Sequence, residues 1–487
     1  MGHKKLFITT TLPYPTPSVY GIERCGAHVG HLLEFVLTDA IARFNKIELG
    51  KENVFFSTGL DEEGLKNLQV ANKFKIPIQE FLDKQAELWK GFCTSFQIDY
   101  DNFYRTSSKD HQKKVQKLWN VFLSNDDLYK KEYSALYCVN CESFKTEKDL
   151  MNGKCPDHQT GEIKTISEEN WFFRLSKFKD YLFNWIEKNP DFLSPANKLD
   201  ELKNIINNIE DISVSRLKTN VPWGTEVPND PEQIVYIWLS ALSNYVFSCG
   251  LFEDEDKFNG WWDNTVQVFG PDNLKFQAVI FQAMLSSAKI KQSGKLLVHG
   301  TILSSDGSKM SKTTGNVIDP IDQLQKFGLD AVRYYALAGL NTYSNSNWSE
   351  NELKELYNAH LANNFGNLIA RVLHLVDLKI IDVSNGPTSS FQIEVDGQIE
   401  SVKTLWKSYS IKEALNQTNQ IATYGNKYFQ DNEPWKESCV NQEVLSNLYY
   451  LLNEVTELYY PALPQRYDEI KSCLLEKKKV VLFPRIK

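Results

Sequence analysis

The chain has 487 residues, 42% of them hydrophobic, and a formal net charge of −8 at pH 7. That length supports several domains with real cores, and the acidic balance excludes a uniformly basic nucleic-acid coat, so any nucleic-acid contact needs a local basic patch. No apolar run approaches the ~20 residues that span a bilayer, and the opening MGHKKLFITTTLPY lacks the marks of a signal or transit peptide, so a soluble cytoplasmic protein with no membrane partner is expected.

KLFITTT, residues 5–11, reads as a strand. HLLEFVLTDAIARFNK, from His31, has helical spacing, with Leu33, Val36, Leu37, Ala40, Ile41 and Phe44 on one face. NVFFSTG (53–59) reads as the next strand and EGLKNLQVANKF as the next helix. Strand, helix and strand with short joins make a βαβ unit, which predicts a parallel sheet with its ligand beyond the carboxyl ends of the strands. Residues 116–230 break the alternation with a cysteine cluster and Lys/Asn-rich amphipathic helices, and they read as an insertion. IVYIWLSAL, VQVFG and LLVHGTIL resume the α/β pattern. From about Asp330 the pattern is helical, through AVRYYALAGL, ELKELYNAHLANNFGNLIARVLHLV, IKEALNQTNQIATYGNKYF and EVLSNLYYLLNEVTELYYPAL, which predicts an all-α bundle.

Of the eight cysteines, Cys25, Cys93, Cys249 and Cys473 stand singly in apolar or mixed surroundings and Cys439 in a polar loop, reading as reduced thiols of an intracellular protein. The other three cluster. Cys138-Val-Asn-Cys141 and Cys155-Pro-Asp-His158 are two ligand pairs with two residues inside each, 13 residues apart. Two such knuckles suit a tetrahedral Cys₃His zinc site, and a site with all four positions filled is structural rather than catalytic.

His28-Val29-Gly30-His31 stands where the first loop enters the first helix. A helix N-terminus offers unpaired N–H groups and partial positive charge to an anion. His28 and His31, three apart, can face one phosphate-sized ligand, and Gly30 removes a side chain from the approach. Taken alone, two capping histidines would explain this motif. Far downstream, SSDGSKMSKTTGN (304–316) sets Lys309 and Lys312 between Gly307 and Gly315. Two anion-binding elements from opposite halves of an α/β fold point to a shared triphosphate.

HVGH resembles the HIGH motif, and KMSKT the KMSKS motif, of class I aminoacyl-tRNA synthetases. The order of the remaining pieces resembles the methionyl-tRNA synthetases: TLPY, TGLDEEG, RTSSKDH, YCVNCESF, NWFFRLSKF, DISVSRLKTNVPWGTEVP, VYIWLSALSNY, FGPDN, FGLDAVRYYAL, NFGNLIARV and LFPRI, from end to end of the chain. The isoleucyl, leucyl and valyl enzymes carry a longer editing insertion for which there is no room. The resemblance implies a Rossmann-type α/β catalytic domain in two halves, 1–115 and 231–300, around a connective insertion with a zinc knuckle, 116–230. A KMSKS-type loop and stem-contact region, 301–355, and an all-α anticodon-binding domain, 356–487, follow.

It also implies roles. ATP and methionine would give methionyl-adenylate and pyrophosphate, and the methionyl group would pass to the 2′-OH of the terminal adenosine of tRNA. His28, His31, Lys309 and Lys312 would stabilise the charge developing on the phosphates. Gly30, Gly270, Asp272 and Met310 would complete the ATP site, with Mg²⁺ accompanying the nucleotide. Leu12, Tyr14, Asp61, Trp238, Tyr245, Phe276 and Gln277 would bind the amino acid, with Asp61 on its α-ammonium and aromatic edges against the thioether. Asn367 and Arg371 would read the anticodon while Trp435 stacks on a base. The acceptor would be initiator and elongator tRNA(Met). A chain that ends at LFPRIK, without the module appended in some relatives, is expected to be a monomer.

Several positions depart from the family pattern. PTPSVYGIERCGA lengthens the loop before His28. The family's DEHG is Asp61-Glu62-Glu63-Gly64, its Trp-Leu-Asp-Ala is Trp238-Leu239-Ser240-Ala241, and its Phe-His pair is Phe276-Gln277. Gln282 replaces a proline, and Pro271 the lysine common before the Asp of the GKDN-type motif. These changes leave three alternatives to set against a methionine enzyme. They are a paralogue of altered amino-acid or acceptor specificity, an adenylating enzyme with a non-tRNA acceptor, and a non-catalytic tRNA-binding protein. Retention of both histidines and both lysines speaks against the last.

Overall fold

The computed structural model describes residues 5–18, 21–138, 143–145, 147, 150–156, 162–305, 307–310, 315–379, 386–436, 442–478 and 481–487. The chain divides into two compact units, one of Met1–Gly26, Asn53–Gly91 and Tyr100–Val298, the other of Ala27–Glu52, Phe92–Asp99 and His299–Lys487.

The first unit is built on a six-stranded sheet in the spatial order Asn102–Arg105, Val54–Leu60, Leu6–Thr9, Thr265–Phe269, Lys295–Val298 and Leu193–Ser194. Every neighbouring pair is parallel. The sequence explains this: LFIT and TVQVF are buried at every position, as strands covered on both faces must be. Chain order reverses between Leu6–Thr9 and Thr265–Phe269, the kind of switch point where a ligand crevice opens beyond the strand ends. The loops leaving those two strands carry Leu12 and Tyr14 on one side and Gly270 to Asp272 on the other.

The stretch read as an insertion holds the helices Lys179–Lys188 and Lys198–Asn207, each with an apolar stripe. It also holds a four-stranded antiparallel sheet, dominated by the ladder between Leu128–Cys138 and Ile163–Phe173. Its Leu193–Ser194 segment forms the edge of the parallel sheet. The expected limits fall on regular elements, 116 inside the helix Lys109–Ser124 and 230 at the first residue of the strand Asp230–Val235.

The second unit contains the helix Val29–Leu49, which is buried all round from Leu32 to Phe44. Buried charges on it are answered by partners of the same unit. His299 Nε2 lies 3.2 Å from Glu34 Oε2. Asp39 Oδ2 accepts from Arg43 Nε at 2.9 Å and from Arg333 at 2.7 Å, and the Asp39 and Arg333 side chains are wholly buried. The helical run continues through Pro320–Phe327 and Leu329–Tyr334, an uninterrupted helical rod over residues 350–379 with a widened middle, and Ser389–Lys407, Ile411–Asn432, Gln442–Tyr459 and Pro464–Glu476. Among the described residues, no helix is long and apolar enough to cross a membrane.

Candidate active site

In the first unit the helix Ile237–Ser248 sets Trp238 and Tyr245 two turns apart on one face. Trp238 stacks on Phe276 with ring centroids 3.7 Å apart and planes 13° from parallel. Tyr245 meets Phe281 edge-on at 5.4 Å. Gln277, buried next to Phe276, donates its amide to the Tyr245 hydroxyl and accepts from Gln267 Nε2 at 3.2 Å. Both bonds fix which way the Gln277 amide faces. The loop carrying Leu12 and Tyr14, both half-buried, is tied to Asp61, whose backbone N–H donates to Pro13 O at 3.1 Å. The structure thus gathers Leu12, Tyr14 and Asp61 through one loop contact, and Trp238, Tyr245, Phe276 and Gln277 through side chains. Gly270 and Asp272 stand at the end of the Thr265–Phe269 strand, Asp272 exposed in the short turn Pro271–Asn273.

Three consecutive carboxylates, Asp61, Glu62 and Glu63, are buried beside that loop. Burial pushes the Glu62 carboxyl up, while Arg105 opposes the rise with a 2.7 Å ion pair. Burial also pushes Glu63 up, against hydrogen bonds from Ser240, Thr225 and Gln112. His111, in contact with Ser240, is pushed down to about 3 by complete burial, so it is neutral at physiological pH.

In the second unit His28 caps the Val29–Leu49 helix. Its Nδ1 accepts from Gly30 N at 3.0 Å and from His31 N at 3.4 Å, while His31 Nδ1 accepts from His28 N at 3.2 Å. This is a capping box built from two imidazoles, and the rings stack at 3.9 Å. With Nδ1 used as acceptor, each neutral ring carries its proton on Nε2, an assignment that follows from the hydrogen bonds. A side chain at Gly30 would stand 2.8 Å from His28 Cε1 and Nδ1, so the glycine clears the way for the capping ring itself.

The same unit holds Lys309, exposed, and Met310, half-buried, in a loop whose base is pinned by Ser304 and Asn316. Gly307 and Gly315 lie at φ 81° and 70°, a region that favours glycine. Lys312 lies outside the described residues, as do Cys141 and His158. Cys138, at the end of its strand, and Cys155 are both buried. Among the described residues no group of three His, Cys, Asp or Glu side chains is placed to hold a metal ion.

On the helical rod, Asn367 is exposed and Arg371 lays its guanidinium 4.1 Å from the Phe429 ring centroid and 5.9 Å from that of Trp435. Phe429 and Trp435 stack at 5.4 Å. Arg371 also donates to Gln430 Oε1 at 3.1 Å. Asn367, Arg371 and Trp435 are therefore one cluster, floored by Phe429, with Asn426 and Gln430 at its edge.

The family model "tRNA synthetases class I (M)" matches residues 6–165 and 158–373. A methionine–tRNA ligase of Caldanaerobacter subterraneus is 32% identical over 99% of this chain and 79% of that protein, and one of Thermotoga maritima 33% identical over 96% and 74%. The chain belongs to the methionine-type class I tRNA synthetases. The fold agrees: a Mycobacterium tuberculosis methionyl-tRNA synthetase in complex with methionyl-adenylate superimposes with a TM-score of 0.89 at 28% identity, covering 99% of this chain and all of that one.

Four of the departures read from the sequence lie in contact, two by two. Ser240 Oγ donates to Glu63 Oε2 at 2.6 Å. Gln282 Nε2 donates to the Gln277 backbone carbonyl at 2.9 Å and to Ser293 Oγ at 3.0 Å. The sequence reading missed His111, Thr225, Gln267, Asn426 and Gln430. Only the last two had a legible signal, since Asn426 and Gln430 stand four apart on one face of Ile411–Asn432.

Proposed function

We infer that this synthetase activates methionine with ATP and esterifies it to tRNA(Met) for translation. The near-complete match in sequence and fold to methionine–tRNA ligases carries this reading. A methionine carboxylate oxygen attacks the α-phosphorus of ATP, the bond to the β-phosphate oxygen breaks, and pyrophosphate leaves. The terminal 2′-OH of tRNA then attacks the methionyl carbonyl carbon and AMP leaves.

In this reading the first unit recognises methionine. Asp61 holds the α-ammonium, the stacked Trp238–Phe276 pair and Tyr245 meet the side chain, and Gln277 orients the Tyr245 hydroxyl. Leu12 and Tyr14 line the entry, and Gly270 and Asp272 take the adenosine. The second unit handles phosphate charge. Its two imidazoles, fixed through Nδ1, present Nε2–H as donors that need no reorganisation as charge develops. Lys309, Lys312 and Met310 belong to a loop that closes over pyrophosphate, with Mg²⁺ arriving on the nucleotide. Asn367, Arg371 and Trp435 read the anticodon of initiator and elongator tRNA(Met) alike, and the enzyme acts as a cytoplasmic monomer.

Cys138, Cys141, Cys155 and His158 hold a structural zinc ion. The ligand spacing supports this, and Cys138 and Cys155 are each buried, out of reach of solvent. Bound zinc would tie the knuckle together.

The experiment is ATP–pyrophosphate exchange with each of the twenty amino acids, followed by charging of total tRNA. Methionine-dependent exchange and charging are expected. Exchange with another amino acid would move the protein to a paralogue, and no exchange at all would refute catalysis. Lys309→Ala should slow activation far more than it weakens methionine binding. Equal loss in both would contradict a role confined to the transition state.

A further inference from the structure

Glu63 and Ser240, two positions where the sequence departs from the family pattern, meet at the centre of a buried relay. The Glu63 carboxylate acts as the acceptor in each of the following contacts. It takes Ser240 Oγ–H at 2.6 Å, Thr225 Oγ1–H at 2.8 Å and Gln112 Nε2–H at 3.3 Å, and among the described residues it has no ion-pair partner. Because the Ser240 proton is directed at Glu63, the Ser240 oxygen accepts from His111 Nε2 at 2.9 Å. The His111 Nδ1 that remains is the acceptor for the Tyr104 hydroxyl at 3.2 Å. One carboxylate therefore sets the polarity of the chain Tyr104, His111, Ser240, Glu63, and all of these except Tyr104 are fully or almost fully buried.

The relay joins four elements: the strand Asn102–Arg105, the helix Lys109–Ser124, the helix Ile237–Ser248 and the loop that leads into the helix Leu65–Phe74. Asp61 is two residues before Glu63 in that loop, and Trp238 and Tyr245 flank Ser240 on its helix. We propose that Glu63 and Ser240 are a matched positioning pair that registers Asp61 against the Trp238–Tyr245 helix, in which acceptor and donor have been exchanged together relative to the family pattern. The inference rests on the reading of Asp61 as the partner of the α-ammonium.

The family pattern has histidine, able to donate, at the first position and aspartate, an acceptor, at the second. Here glutamate accepts and serine donates. Exchanging one member alone fails. Ser240→Asp would set a second carboxylate against Glu63 at a contact now 2.6 Å long, where two charges cannot both persist in a dry site. Glu63→His would leave Thr225, Gln112 and Ser240 with fewer acceptors, and a buried donor without one is costly. Both changes together restore a donor opposite an acceptor.

The test is a double-mutant cycle on KM for methionine in ATP–pyrophosphate exchange, with KM for ATP as the internal control. Glu63→His and Ser240→Asp should each raise KM for methionine about tenfold or more while leaving KM for ATP within about twofold. The double variant should recover to within about threefold of the unsubstituted enzyme. A double variant that shows the product of the two single effects would overturn the pairing. Should a single variant melt out, Ser240→Ala, which only deletes a hydroxyl, should still raise KM for methionine about tenfold, and an unchanged KM overturns the proposal. Nitrogen-15 NMR of the unsubstituted protein reads the relay directly: His111 should be the Nε2–H tautomer, and Nδ1–H would refute the polarity. Asp61→Asn separates the underlying reading. If it leaves KM for methionine unchanged, the α-ammonium assignment fails, whereas the cycle and the tautomer still report on the pair.

Discussion

Gly30→Ala separates stability from catalysis at the helix start proposed to meet phosphate. The new Cβ would stand 2.8 Å from both Cε1 and Nδ1 of His28, closer than a non-bonded carbon can settle. Moving the ring is easier than moving the helix, so His28 swings out and its two capping bonds, at 3.0 and 3.4 Å, are lost. Losing an N-cap costs about 1 kcal/mol. Replacing glycine by alanine inside a helix contributes about 1 kcal/mol in the other direction. Denaturant melts should therefore show a change within about 1 kcal/mol. Catalysis has no such offset, because the displaced ring takes its Nε2–H donor with it. Removing one preorganised donor from a developing oxyanion lowers kcat by about 10² to 10³. Steady-state exchange at saturating ATP and methionine reads that loss. A kcat within threefold of the unsubstituted enzyme would show that the capping ring and the catalytic ring are not the same object. A stability loss well above 2 kcal/mol would show instead that the ring cannot move.

Asp39→Ala leaves the guanidiniums of Arg43 and Arg333 buried without their carboxylate, a loss of about 3–5 kcal/mol that lowers the melting temperature by about 10 °C. A calorimetric shift under 3 °C would contradict it. His111, at about 3 in the fold against an ordinary 6.5, is protonated on unfolding between those values, so its contribution is complete above pH 6.5 and lost as pH falls, by about 2 kcal/mol at pH 5. Glu63, raised by burial, acts in the opposite sense, so the comparison is with His111→Gln, which should show a shallower loss from pH 7 to pH 5; an unchanged slope would refute the assignment. Arg371→Lys keeps the charge and loses the planar stack on Phe429, so KM for tRNA should rise about tenfold with exchange kinetics unaltered; equal loss in exchange would remove Arg371 from the anticodon cluster.

Elements whose stability is local were legible from spacing. The helix read from His31 is present as Val29–Leu49, and the run beginning at Glu352 as the rod over residues 350–379. Ser389–Lys407 was not read, although Phe391, Val395, Ile399, Val402 and Trp406 form its buried stripe. Gly397 interrupts it and the exposed Ile393 lies off the face, which blurs the period. LLVHGTIL reads as one run but forms two strands. Lys295–Val298 joins the parallel sheet, while Ile302–Leu303 pairs with Ser346–Asn347. Between them a side chain on Gly300 would meet the Ser344 carbonyl at 1.9 Å, a close approach that no local pattern announces. Leu193–Ser194 is harder still, since two residues become a strand only because Leu296 and Leu297 lie beside them.

The site divides the same way. The His28 cap and the glycines at 307 and 315 were legible because each acts through its own backbone: a helix start needs its cap within three residues, and a loop needs its glycines in place. The proposed amino-acid pocket and the buried polar cluster beside it are assembled from side chains distant in sequence, 177 residues apart for Glu63 and Ser240 and 32 for Tyr245 and Gln277. Read singly, glutamate for histidine, serine for aspartate and glutamine for proline each look like damage to a binding site. In the fold the Ser240 hydroxyl donates a hydrogen bond to Glu63, so those two departures answer each other, and Gln282 is satisfied by the backbone carbonyl of Gln277. Divergence in a buried polar cluster is constrained by the matching of donors to acceptors, not by the identity of either partner. A sequence can therefore change at several pocket positions while the polarity of the pocket wall stays balanced, and that is why these substitutions do not by themselves argue for a different amino acid.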